Sequence, residues 1–167
     1  QIKLFDPVTS SQEEIALNNV LKSKFWASGA GTGKVLDFEK QLNDYVGSKK
    51  CVAVSNGTAA LHLALSLIDI KNKEVILPSL SFVSTAHAVI YNGGIPIFVD
   101  VDPKTLCIDP QMIKKSITKK TRVILPVHLG GMSCNLDELS ALCNGTKITL
   151  IEDAAHAVGS SYKNKKI

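Results

Sequence analysis

Glu74-Val75-Ile76-Leu77 is a short apolar run without polar alternation, and its reading decides the fold. A strand that alternates polar and apolar residues keeps one wet face. A continuous apolar run is buried on both faces, as in a mainly parallel sheet covered by helices. Similar runs occur at Cys51–Val54, Ile95–Val99, Arg122–Leu125 and Ile148–Ile151. Between them the spacing predicts helices over Thr58–Ile68, Phe82–Tyr91, Pro110–Ile117 and Leu136–Cys143. Strands alternating with helices mark the α/β class, here a mainly parallel sheet flanked by helices. Such sheets bind ligands beyond the C-terminal ends of their strands.

The chain reads differently before that region. Residues Gln1 to Val8 form an arm, and Ser10 or Ser11 with Glu13 or Glu14 three residues on gives a capping-box start to a helix reaching about Lys24. A loop of small residues, Ala27 to Gly33, leads to a second helix over Val35–Val46, stopped by Gly47. The expected division is therefore 1–48 for the arm and its helices, and 49–167 for the sheet-bearing region. The last residues, Ser160 to Ile167, read as the opening of a surface hairpin, a place where a domain seldom ends, so a truncated chain is expected.

Composition removes several function classes. With 167 residues, 45% of them hydrophobic, the chain has material for a real core. The net charge of +4 rests on 19 basic residues of which only Arg122 is arginine, and the lysines are scattered in pairs such as Lys49-Lys50 and Lys119-Lys120. Bidentate recognition of phosphates and bases favours arginine, so nucleic acid is a poor partner. The four cysteines form no CxxC pair or zinc spacing, which points to a reduced, cytoplasmic setting and no metal. No apolar run is long enough to cross a bilayer, so no membrane partner is expected. Gly29-Ala30-Gly31-Thr32-Gly33-Lys34-Val35 imitates a nucleotide phosphate loop, but Ser28 and Val35 break the Walker pattern and a helix precedes it where a strand is required. A substrate-reaching loop is the better reading.

Four segments that follow strands carry the candidate chemistry. Asp153 closes the strand Ile148–Ile151; a carboxylate there can hold a pyridine nitrogen protonated, or it can cap the turn that follows. Ser55-Asn56-Gly57-Thr58-Ala59 opens a helix whose first amides and positive dipole end suit a phosphate, although Asn and Thr also cap helices without any ligand. Phe82 follows another strand and is either a ring for stacking or a core phenylalanine. His128 precedes a glycine-rich loop and either contacts cofactor or substrate or satisfies loop carbonyls.

Taken in order, Ser55-Asn56-Gly57-Thr58-Ala59-Ala60-Leu61, Pro78-Ser79-Leu80-Ser81-Phe82-Val83-Ser84-Thr85, Pro126-Val127-His128-Leu129-Gly130-Gly131 and Glu152-Asp153-Ala154-Ala155-His156-Ala157-Val158-Gly159 resemble the DegT/DnrJ/EryC1/StrS family of nucleotide-sugar aminotransferases. The resemblance covers nearly the whole chain. It implies an incomplete fold-type I large domain binding pyridoxal 5'-phosphate (PLP), with Asp153 on the pyridine nitrogen and His156, where many members have glutamine, on the phenolic oxygen. Gly57, Thr58 and Ala59 would hold the phosphate, Phe82 would stack on one ring face, and Ala155 would pack under the other. No catalytic residue lies within this chain on that reading: the Schiff-base lysine is expected beyond Ile167, as is a small C-terminal domain. The implied activity is transfer of an amino group, with glutamate as donor, to a keto group of a nucleotide-linked deoxysugar by a homodimer. A sugar 3-dehydratase of the same fold, with histidine in place of that lysine, and a non-catalytic fragment are the competing readings.

Overall fold

The computed structural model describes residues 6–26 and 33–167. Most of the arm and the small-residue loop, including the Walker-like segment up to Thr32, lie outside the described residues. The chain divides into two compact units, Gln1–Ala53 and Val54–Ile167.

In the first unit, helix α1 (Ser11–Ser23) starts at the expected box: Gln12 N–H donates to Ser10 Oγ at 3.1 Å, and Ser10 N–H donates to Glu13 Oε2 at 2.6 Å. The Ser10 contacts hold the Glu13 carboxyl below its ordinary range. Helix α2 (Lys34–Val46) ends at Gly47, which takes the left-handed conformation at φ 71° and donates its N–H to the Asn43 carbonyl. The expected strand Cys51–Val54 is not formed. Ala53 N–H donates to the Glu39 side chain at 2.8 Å, so a carboxylate stands where a strand would need a ladder carbonyl.

The second unit holds α3 (Gly57–Ser66), β1 (Glu74–Pro78), α4 (Val83–Tyr91), β2 (Ile95–Val99), α5 (Pro110–Ser116), β3 (Thr121–Ile124), α6 (Leu136–Cys143) and β4 (Thr149–Leu150). The four strands form one parallel sheet in the order β2-β1-β3-β4. The chain moves outward from β1 to β2, then crosses back over β1 to reach β3 and continues to β4. Right-handed crossovers therefore put α4 on one face and α5 and α6 on the other. The reversal falls between β1 and β3.

Side-chain alternation follows from this layering. Val75, Leu77, Val123 and Leu125 pack with Leu61 and Leu65 of α3 and Ala88 and Val89 of α4. Ile76 and Ile124, one residue out of phase, pack with Ile113 of α5, Leu139 of α6, Cys107 and Cys134. Burial on both faces holds for β1 and β3. It fails for β2, the sheet edge, where Phe98 is half exposed and Pro96 sits without a donor to lose. A two-stranded hairpin, β5 (Ser161–Tyr162) and β6 (Lys165–Lys166), follows. Lys163 and Asn164 at its turn both have positive φ, the twist a two-residue hairpin favours.

Two outcomes are expected of the full-length protein. Ile124→Ala, which opens a void between β3 and the α5–α6 layer, should cost about 2–5 kcal/mol by urea denaturation, and Ile124→Val about 1 kcal/mol. Burial, with the nearby Cys107 thiol, pushes the Cys134 thiol far up. A raised value means less thiolate at neutral pH, so Cys134 should resist alkylation in the native state and label only on unfolding or at strongly alkaline pH, as mass spectrometry would read.

Candidate functional site

The pairing of β3 with β4 runs past the formal strand ends. Asp153 N–H donates to the Pro126 carbonyl at 2.9 Å and His128 N–H to the Asp153 carbonyl at 3.1 Å, giving a parallel bridge between Val127 and Asp153. This carries Asp153 to the C-terminal edge of the sheet, beside the reversal between β1 and β3. Alternation then assigns the faces. Asp153 falls on the α4 side with Ile151, and Glu152 falls on the α6 side.

On the α4 side Asp153 is 8% exposed. Its Oδ2 accepts from Thr85 Oγ1 at 2.8 Å, and its Oδ1 accepts from Ala155 N–H at 3.2 Å. Ser81 Oγ lies 2.7 Å from Thr85 Oγ1. The capping role open in the sequence is thus present at Oδ1, while Oδ2 is held from α4. One acceptor lone pair remains on each oxygen for a further donor.

On the other side, Glu152 Oε2 meets His128 Nε2 at 2.8 Å, and His128 Nδ1 accepts from Cys134 N–H at 3.1 Å. With its acceptor nitrogen taken by a backbone N–H, the imidazole presents Nε2–H to the carboxylate. His128 is fully buried on the face away from Asp153. Both ring nitrogens are engaged, which leaves neither for the cofactor or substrate contact weighed from sequence. A cleft on this face is lined by Leu136, Ser140, Glu152, Ala154 and Tyr162, and does not include Asp153.

His156 stays on the exposed rim, and its Nδ1 accepts from Gly130 N–H at 3.2 Å. Gly131 lets the two segments close on each other: a Cβ there would lie 3.1 Å from both the His156 carbonyl and Ser160 Oγ, and its φ is +84°. Ala155 is also exposed. Phe82 precedes α4 as its N-cap and is 73% exposed, so it is not a core residue.

Helix α3 starts at Asn56, whose Oδ1 accepts from Ala59 N–H at 2.9 Å. That cap claims the Ala59 amide, one of the three assigned to a phosphate from sequence. Among the described residues no acceptor meets the amides of Gly57 and Thr58. The open cradle is therefore these two amides and the positive end of the helix dipole. Thr85 and Ser81 were missed as site residues. The signal was available: two hydroxyls four residues apart at a helix start, with Thr85 in an otherwise apolar stripe. Among the described residues no group of three or more His, Cys, Asp or Glu is placed to hold a metal.

The chain is 42% identical over 142 residues to GDP-perosamine synthase of Caulobacter vibrioides, an alignment covering 84% of this chain and 38% of that protein. Among solved structures, an aminotransferase from Psychrobacter cryohalolentis superposes with a TM-score of 0.92 at 35% identity, over 96% of this chain and 41% of that one. A GDP-4-keto-6-deoxymannose-3-dehydratase with a trapped PLP-glutamate geminal diamine superposes at 0.90 with 31% identity, over 100% of this chain and 44% of that one. The chain thus spans about two fifths of the length of the relatives it matches. The family model of DegT/DnrJ/EryC1/StrS aminotransferases aligns with residues 7–167, and this chain belongs to that family.

Proposed function

We propose that this chain forms the first part of the large domain of a PLP-dependent aminotransferase acting on a nucleotide-linked keto sugar, with glutamate as amino donor and a homodimer as the working, cytoplasmic form. On this proposal residues 1–48 are the arm and its helices, and 49–167 belong to the cofactor-binding domain. The observation that carries the reading is the Asp153 carboxylate, nearly buried at the sheet reversal and oriented by two donors while each oxygen keeps a lone pair. Open sheets place their ligands at such a reversal.

The residues fit the cofactor. Asp153 would hold the proton on the ring nitrogen. The amides of Gly57 and Thr58 would take the phosphate at the positive end of α3, while Ala59 acts through the Asn56 cap that shapes that end. Phe82 offers an exposed ring for one cofactor face and Ala155 a small side chain for the other. His156, its Nδ1 fixed by Gly130 N–H, carries its hydrogen on Nε2 when neutral and would donate to the phenolic oxygen. When bound, PLP supplies the electron sink for bond breaking next to the amino group. The lysine that moves the proton is assigned to a part of the enzyme outside this chain. The sugar 3-dehydratase reading shares every one of these contacts, and it is favoured by the close superposition on a dehydratase. Lysine or histidine at the Schiff-base position separates the two.

In the full-length enzyme Asp153→Asn should lower glutamate-dependent amino transfer by roughly 10²-fold or more while leaving PLP partly bound, because an amide stabilises a protonated ring nitrogen poorly. Steady-state kinetics and cofactor absorbance check it, and unchanged turnover would count against the proposal.

A further inference from the structure

The hydrogen-bond chain behind Asp153 has a fixed direction. Thr85 has one hydroxyl hydrogen, and it is directed to Asp153 Oδ2 at 2.8 Å. Ser81 Oγ, 2.7 Å from Thr85 Oγ1, must therefore be the donor of that pair. The order is Ser81 to Thr85 to Asp153, with each hydroxyl polarising the next toward the carboxylate. Thr85 is fully buried and Ser81 half buried, so water does not replace Thr85 readily.

The placement is also structural. Ser81 lies in the turn after β1 and Thr85 in the first turn of α4, where Thr85 N–H donates to the Phe82 carbonyl at 3.1 Å. Three residues separate Ser81 from Thr85 in the chain, and the first of them is the exposed Phe82. One short segment thus holds both the carboxylate and the aromatic ring, and it lies on the β1 side of the reversal while Asp153 lies on the β3–β4 side. The 2.8 Å bond adds a side-chain tie across that reversal, at its C-terminal end, to the backbone ladder between β1 and β3.

We propose that Ser81 and Thr85 are positioning residues that orient the Asp153 carboxylate toward a cationic ring nitrogen and keep it in register with Phe82. The inference rests on the PLP reading and deepens it. A charge-assisted bond of this kind accounts for about tenfold or more in affinity when its donor is removed without replacement. Thr85→Val keeps the shape and removes the donor, leaving Ser81 without its acceptor. Thr85→Ser keeps the donor.

The test uses the full-length enzyme and its Thr85→Val, Thr85→Ser and Ser81→Ala variants. PLP dissociation constants are measured by titration, and ring-nitrogen protonation by nitrogen NMR of ring-labelled cofactor. Thr85→Val should weaken PLP binding about tenfold or more and move the ring nitrogen toward its neutral form. Thr85→Ser should restore both, which a packing role for the methyl group would not allow. Ser81→Ala should move both in the same direction by less. If Thr85→Val does not fold, Ser81→Ala carries the test, and no change in either readout overturns the proposal. A folded Thr85→Val that binds PLP with parental affinity and nitrogen shift overturns it while leaving the PLP reading intact. A parent enzyme that binds no PLP overturns both.

Discussion

The ladder between β3 and β4, continued through the Val127–Asp153 bridge, is the constraint on which the candidate site depends. In a parallel ladder a residue's face is set by its register, and a slip of one would exchange Glu152 and Asp153. The present register sends Asp153 to the Thr85 hydroxyl of α4 and Glu152 to His128. Adjacent carboxylates in one sequence pair thereby acquire separate surroundings. The apolar layers enforce that register, because a slip would also carry Ile151 out of the α3–α4 core and Leu150 out of the α5–α6 core.

The two faces then divide the work. On the α5–α6 side the contacts are closed: His128 is enclosed, its nitrogens are both used, and Cys134 packs against it through backbone. On the α3–α4 side polar groups are left with capacity at the sheet edge, at Asp153 and at the first amides of α3. That capacity lies at the edge where open parallel sheets take their ligands.

Much of the fold was legible in the sequence because local signals and the final layering agree. The uniform apolar run at Glu74–Leu77, the box at Ser10 and Glu13 and the stop at Gly47 each act within a few residues and reappear in the structure. Cys51–Val54 misled because a strand needs a partner as well as composition, and Ala53 is answered by Glu39. The site was legible as a set of segments and illegible in its contacts. Thr85 lies 68 residues from Asp153 in sequence, and only the crossover over β1 brings them together. His128 shows the opposite failure: its position after a strand was right for a ligand, but the odd-even register turned it to the far face.

The central claim is that Asp153 meets a cofactor ring nitrogen from the C-terminal edge of this sheet. A crystal structure of the full-length protein grown with PLP tests it directly. The account predicts an Asp153 carboxylate oxygen at about 2.7–3.2 Å from the ring nitrogen, with the phosphate at the amides of Gly57 and Thr58. PLP bound with its ring nitrogen away from Asp153, or in the cleft beside Glu152 and Tyr162, would contradict it.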